Sequence, residues 1–342
     1  MRKYNYKFKR FLLVVAVFLL AACHNTEKVT TFVLLPDTQT YAEKYPEILH
    51  SQIDWITENA KDIDLVLQQG DLTQNNNKQE WTVVKEAFSK LNNRVPYVLA
   101  VGNHDMGSAP GIFADTRNTD LFNSFFPVET MSQLPAFGGF FEKDKMENVY
   151  YLFEKDKQKW LILSLEFGPR NEVLDWAGQI SEQYSDRTVI LNTHCYMYSD
   201  STRVDTNDKW SPQSYGIGKD TLHTTVNNGE QIWNKLVKKH KNIRFVFSGH
   251  ILNGGVGTLF SVNQDGWPVY QFLANYQSGV QGSQNGGNGF LRILKLNSKN
   301  HSFTVQTYSP YTNEFRNEES QSFTVKSVWF EQRFMNLKLA KQ

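Results

Sequence analysis

Only two cysteines occur in the 342 residues, Cys23 and Cys195. They cannot make a disulfide framework, so the fold must rest on a hydrophobic core. Strong charge of one sign is also missing: 36 Lys and Arg face 35 Asp and Glu, a formal net charge of +1. Such a balance lacks the global basic field on which general nucleic-acid binding depends. Long apolar runs are absent as well. Phe11 to Ala22 (FLLVVAVFLLAA) falls well short of the ~20 residues that a bilayer-spanning helix needs. No internal repeat or linker divides the chain, whose length suits one large domain or two smaller ones.

What is present begins with an export pattern. Arg2, Lys3, Lys7, Lys9 and Arg10 precede the apolar run, with no acid among them. A basic segment followed by a short apolar core is the arrangement of a signal peptide. The core ends in Leu20-Ala21-Ala22-Cys23, which resembles the bacterial lipobox. That similarity implies a lipoprotein signal peptide over residues 1–22, lipidation at Cys23, and a polar tether over 23–30. It also implies a protein held by its lipid in the bacterial cell envelope, outside the cytoplasm. An ordinary signal peptide and an uncleaved anchor are the alternatives. Removing residues 1–22 takes five basic residues and no acidic ones, leaving 31 against 35 and a net charge of −4. No general nucleic-acid binding is expected of such a chain, and its aromatic content of 14% suits an aromatic-lined pocket or a carbohydrate-facing surface.

Periodicity then gives alternating elements. Apolar and β-branched runs at 31–35, 65–69 and 97–101 read as strands, with amphipathic helices at 46–59 and 78–91 between them. Such alternation argues for parallel pairing through right-handed crossovers. Residues 106–148 look like a long loop or cap, and 148–153 with 160–165 like a hairpin. A helix at 172–184, a strand at 188–191, a second long loop at 195–228, a helix at 229–240 and a strand at 243–247 follow. Short antiparallel strands at 258–262, 269–274, 290–296 and 302–307 close the pattern, and the Gly/Asn/Gln-rich segment 277–289 reads as a surface loop near the site.

Five of these strands deliver a metal-competent residue just past their C-terminal ends: Asp37, Asp71, Asn103 with His104, His194, and His250. Loops at that edge are where ligands gather in α/β sheets. A single Gly-Asp is ordinarily a turn and a single Gly-His a structural histidine. The ordered recurrence at one structural position is not explained that way.

The segments PDTQ (Asp37), QGD (Asp71), GNHD (Asn103 to Asp105), NTH (His194) and SGH (His250) resemble the calcineurin-like metallophosphoesterases. ANYQ and GGNGFLR are similar to a bacterial extracytoplasmic branch of that superfamily. The resemblance implies a four-layer α/β/β/α sandwich of two mixed sheets over residues 31–310, with 311–342 as a C-terminal extension. It further implies two divalent ions, Asp71 bridging them, Asn103, His194 and His250 completing the second position, and Asp37 and Gln39 serving the first. Mixed carboxylate, amide and imidazole donors suit Mn, Fe or Zn. Two such ions would acidify a bound water, and the resemblance implies hydrolysis of a phosphate ester by the hydroxide so formed. His104 is then free to stabilise the transition state or to protonate the leaving oxygen, with Asp105 as its orienting partner.

One departure stands out. The family pattern D-x-H reads Asp37-Thr38-Gln39 here, and G-H-x-H reads Gly249-His250-Ile251-Leu252. Leu252 has no donor atom and Asn253 stands one position late, so the first ion is expected to be the weaker. That weakness motivates an alternative function, a catalytically feeble surface lipoprotein that keeps the fold to bind a glycan or phosphoester. Asn275, Tyr276 and His223 are candidates for the substrate pocket. Cys195, with no base beside it in sequence, reads as a small buried residue, and the Phe122, Phe125, Phe126 and Phe137, Phe140, Phe141 groups as core of the cap.

Overall fold

The computed structural model describes residues 29–219 and 225–328. Its strands are, in order, β1 (Val29–Leu35), β2 (Leu65–Gln68), β3 (Tyr97–Leu99), β4 (Phe137–Phe140), β5 (Val149–Lys155), β6 (Gln158–Leu165) and β7 (Thr188–Thr193). They continue with β8 (Ile243–Ser248), β9 (Val256–Val262), β10 (Pro268–Ala274), β11 (Leu291–Asn297), β12 (Ser302–Ser309), β13 (Glu314–Arg316) and β14 (Phe323–Lys326). One sheet runs β13-β12-β11-β1-β2-β3, with β14 also on β12, and the other runs β4-β5-β6-β7-β8-β10-β9. Both are mixed. β1, β2 and β3 are parallel neighbours in the first sheet, as are β6, β7, β8 and β10 in the second.

The expected sandwich of two mixed sheets with helices is what the chain forms. The sheets meet face to face: Phe32 on β1 sits edge-on against Trp160 on β6 at 5.2 Å and against Phe153 on β5 at 5.8 Å. Polar ties cross the same interface, where the Asn192 amide donates to the Gln68 carbonyl at 2.8 Å and the Ser164 hydroxyl to Leu99 at 2.9 Å. Buried polar groups at such a seam fix its registry because an unmatched partner would be left unsatisfied. The helix Pro46–Glu58 buries Ile48, Leu49, Ile53 and Ile56, and the helix Asn171–Gln183 buries Val173, Leu174, Ala177 and Ile180. Both are i, i+3/i+4 stripes that a sheet face covers.

Several boundaries differ from the sequence reading. Val29 and Thr30 pair with Asn297 and Leu296, so the sheet begins inside the expected tether. β13 and β14 both pair with β12, so the expected extension at 311–342 supplies two strands to the first sheet. The helix expected at 229–240 breaks after Lys235 into a 3₁₀ turn over Val237–Lys239. The cap at 106–148 contains helices Asp120–Phe125 and Val128–Met131 and strand β4, and Phe122 and Phe126 pack on Trp81 there.

The late strands are not one antiparallel meander either. β10 lies parallel to β8, while β11 crosses back to pair with β1. That crossing is anchored by Tyr276, whose hydroxyl donates to Gln321 Oε1 at 2.9 Å and accepts from the Arg292 guanidinium at 3.1 Å. Arg292 and Gln321 are buried. Tyr276→Phe strands those partners, and urea denaturation should show a loss of ~1–3 kcal/mol; an unchanged midpoint would mean the hydroxyl ties nothing together.

Candidate metal centre

Each site residue lies just beyond the C-terminal end of a parallel strand. Asp37 follows β1, Asp71 follows β2, Asn103 and His104 follow β3, His194 follows β7 and His250 follows β8. The first sheet supplies the carboxylates, Asn103 and His104, and the second supplies the imidazoles of His194 and His250, so the centre forms only where the two sheets meet. The loops are tight. Asp71 and His250 take left-handed backbone with φ of 52° and 73°, a conformation that costs a non-glycine residue on the order of 1 kcal/mol or more. The glycines beside them make room: a Cβ on Gly102 would strike Asp71 Oδ1, and one on Gly249 would strike Asp37 Oδ2.

The second position is built from acceptors alone. His194 Nδ1 donates to the Gln69 carbonyl at 2.8 Å, which turns its Nε2 inward. His250 Nε2 donates to the Trp210 carbonyl at 2.8 Å, which turns its Nδ1 inward. The inward His194 Nε2 lies 3.2 Å from His250 Nδ1, 3.1 Å from Asn103 Oδ1 and 3.1 Å from Asp71 Oδ1. Ligand atoms of Asp71, His194 and His250 all fall within 4.8 Å of one another, and all three residues are buried. With neutral imidazoles these are lone pairs aimed at lone pairs, an arrangement that only a proton or a metal ion relieves.

The titration behaviour fits the same picture. Burial would lower His194, but the Asp71 charge and hydrogen bond overcome it and lift the imidazole to about 9. Burial would raise Asp71, yet the histidines 194, 104 and 250 hold it below the usual carboxylate range. Burial and the neighbouring His194 push His250 down to about 3. Asp37 is pushed up to about 8, chiefly by burial, with His194 opposing and Asp71 adding to the shift. A proton on His194 thus partly neutralises a cluster that a divalent cation would neutralise fully.

Beside this position lie Asp37 and Gln39. Asp37 accepts from the His250 backbone amide at 3.0 Å, and its Oδ1 lies 4.0 Å from His194 Nε2. The Gln39 amide nitrogen donates to Asp71 Oδ2 at 3.1 Å, while its Oε1 is buried without a partner. Neither late alternative reaches this place. Leu252 packs toward Gly279, and the exposed Asn253 donates to Ser199 at 3.1 Å. Gln277, which none of the sequence motifs marks as a ligand, does reach it: its amide donates to Asp37 Oδ1 at 3.1 Å, and its carbonyl accepts from Gln39.

His104 is half-buried beside Asp71. Its backbone amide donates to Asp71 Oδ1 at 2.9 Å, and its Nδ1 donates to the Gln74 carbonyl at 2.7 Å. The ring lies on Phe113 with centroids 3.8 Å apart. Gln74 is itself held by Glu80, a buried carboxylate that accepts from the backbone amides of Gln74 and Asn75 at 2.8 and 2.7 Å. Glu80 therefore sets the His104 tautomer at one remove.

Asp105 is not the orienting partner expected for His104. Its carboxylate points the other way, accepting from the backbone amides of Leu72 (3.1 Å), Thr73 (2.9 Å) and Gly102 (2.9 Å) and from the Thr73 hydroxyl (3.1 Å). It clamps the loop after β2 to the loop after β3, and so fixes Asp71 between them. The substrate-pocket expectation fails for two residues as well. Asn275 is fully buried, with its Oδ1 accepting from the Gln277 amide at 3.0 Å, and Tyr276 serves the crossing described above. His223 and Cys23 lie outside the described residues. Cys195 is buried, and burial raises its thiol well above the ordinary value, so it is held as an unreactive thiol.

A strand-end centre of this kind on two facing mixed sheets defines a metallophosphoesterase. The chain belongs to the calcineurin-like phosphoesterase family, whose sequence profile matches residues 30–254. An uncharacterized protein of Bacillus subtilis (strain 168), YvnB, is 29% identical over 292 residues, which make 83% of this chain and 20% of YvnB. The chain thus spans about a fifth of the length of that relative. Among solved structures, a purple acid phosphatase from yellow lupin (Lupinus luteus) seeds aligns with a TM-score of 0.51 over 90% of this chain and 55% of its own, at 13% identity. A 5′-nucleotidase precursor from Thermus thermophilus aligns over 92% of this chain and 58% of its own, with a TM-score of 0.44 and 14% identity.

The clamp makes a direct prediction. Asp105→Ala removes the acceptor for three buried backbone amides, so the metal-free protein should lose at least ~2 kcal/mol of stability in a denaturant titration. Unchanged stability with a loss confined to turnover would restore the role of orienting His104.

Proposed function

We propose that this chain hydrolyses a phosphate ester using two divalent cations, with His104 as the proton donor to the departing oxygen. The convergence of Asp71, Asn103, His194 and His250 as acceptors beside an accessible histidine carries this reading. Divalent ions held there would polarise a phosphoryl oxygen and acidify water, the chemistry that phosphoester hydrolysis needs. Asp71 would touch both ions, Asn103, His194 and His250 would hold one, and Asp37 and Gln39 would hold the other.

The residues of the chain contribute the rest. Donation from His104 Nδ1 to the Gln74 carbonyl leaves Nε2 as the nitrogen that takes up a proton and, as imidazolium, passes it to the departing oxygen. The tilted contact with Phe113, 34° between the ring planes, limits rotation of the imidazole, so the proton is presented in one direction. Phe167 and Tyr215 wall the imidazole of His250, at 5.1 and 6.0 Å between centroids, and narrow the access of bulk water to that side. The competing reading, a ligand-binding lipoprotein without turnover, does not account for a half-buried histidine beside Asp71 that is fixed in one tautomer.

His104→Ala should lower kcat on p-nitrophenyl phosphate or bis-p-nitrophenyl phosphate by ~10²–10⁴-fold while metal content stays at the wild-type level. Loss of metal with unchanged turnover per remaining ion would assign His104 to binding instead. Chelator-treated wild type should be inactive on both substrates and recover with added Mn, Fe or Zn.

We further propose that the chain acts outside the cytoplasm, tethered by a lipid on Cys23, on the strength of the basic, apolar and Leu-Ala-Ala-Cys sequence at its start. Labelled fatty acid should enter the wild type and not Cys23→Ser, which should also remain uncleaved. Equal labelling of the two would defeat the tether.

A further inference from the structure

Gln277 obeys the same placement as the other site residues. It stands just past the end of β10, and β10 runs parallel to β8, so its loop opens at the edge where His250 lies. Asn275 bends the chain there by accepting from the Gln277 amide at 3.0 Å, and the Gln277 side chain turns inward and is buried. It meets Asp37 Oδ1 at 3.1 Å and the Gln39 amide.

The chemistry of this corner is distinctive. Two carboxylates, Asp37 and Asp71, are connected through two side-chain amides: Asp37 to Gln277, Gln277 to Gln39, Gln39 to Asp71. All four side chains are buried, and His194 Nε2, which belongs to the second position, stands 4.0 Å from Asp37 Oδ1. The amide nitrogens here supply the positive ends of dipoles between the carboxylates, standing where a cation would neutralise the same charge. The Gln39 Oε1 already lacks a partner. Because the terminal torsion of glutamine is soft, a half turn exchanges nitrogen for oxygen at little cost. The corner can then offer two carboxylate and two amide oxygens. Oxygen-only sets favour hard divalent ions such as magnesium and manganese, whereas imidazole suits zinc and iron.

We propose that Gln277 is a donor of the first metal position, completing Asp37, Gln39 and the shared Asp71, and that this position takes a hard divalent cation of the magnesium or manganese class. This rests on the two-ion reading above. The pair of positions then differs in chemistry: one is oxygen-only, and the other, with His194 and His250, is rich in nitrogen. The late histidine of the family pattern is replaced by an amide from a different loop, which is why neither Leu252 nor Asn253 need contribute.

The test uses the full chain, stripped of metal, reloaded with one equivalent of zinc, and titrated with manganese while free Mn²⁺ is read by electron paramagnetic resonance. Wild type should bind one manganese per chain. Gln277→Ala should weaken manganese binding by about tenfold or more with zinc still at one per chain, and Gln277→Glu, which restores an oxygen donor, should bind manganese at least as tightly as wild type. Manganese binding by Gln277→Ala equal to that of wild type would overturn the proposal. So would weakened binding by Gln277→Glu, which decides the matter even where the alanine variant does not fold. A wild-type chain that takes zinc and no manganese would overturn it too. If that chain also holds only one zinc when given excess, the two-ion reading falls with it; if it holds two, that reading stands and only the proposed selectivity is lost.

Discussion

The carboxylate of Asp71 is the point on which the rest of the structure converges. Its Oδ1 accepts from the His104 amide and faces the imidazole of His194, and its Oδ2 accepts from Gln39. Burying one unpaired carboxylate is costly, and here it is buried beside a second, Asp37, and against inward-facing imidazole lone pairs. A cation is the one species that satisfies all of them together. The left-handed backbone at Asp71, the absence of a side chain at Gly102 and the clamp made by Asp105 are local conditions for placing that carboxylate where both sheets can reach it.

Because the carboxylates come from one sheet and the imidazoles of His194 and His250 from the other, the packing between the sheets is part of the chemistry. Phe32 against Trp160, and Asn192 against Gln68, set how the strand ends approach each other. The same dependence runs through the loops: Glu80 orders the turn that holds Gln74, Gln74 fixes the tautomer of His104, and the Trp210 carbonyl fixes that of His250. Trp210 itself takes a left-handed backbone with φ of 68°, so the loop that carries it is strained into this contact. Function here is a property of supports several residues removed from the reacting atoms.

Much of this was legible in the sequence, and the failures have identifiable causes. The positions of Asp37, Asp71, Asn103, His194 and His250 follow from apolar runs ending in polar residues, a signal that survives uncertainty over element boundaries. Asp105 was misassigned because adjacency to His104 in sequence does not give direction; in the 3₁₀ turn over Asn103–Asp105 the two side chains diverge. Tyr276 was misassigned for a similar reason, since alternation along an extended segment sends it into the core while Asn275 and Gln277 face elsewhere. Gln277 was missed because β10 read as a member of an antiparallel series. Its parallel pairing with β8 depends on residues distant in sequence, and no local pattern reports it. A strand ending in Ala274 and followed by Asn-Tyr-Gln carries the same signal as the other five.

The most direct test of the central claim is a crystal structure of the zinc-loaded protein with anomalous data at the zinc edge. The account predicts a peak bonded to Asp71, Asn103, His194 Nε2 and His250 Nδ1, with nitrogen and oxygen distances near 2.0–2.2 Å. A well-ordered crystal in excess zinc with no anomalous peak among those four side chains would contradict it.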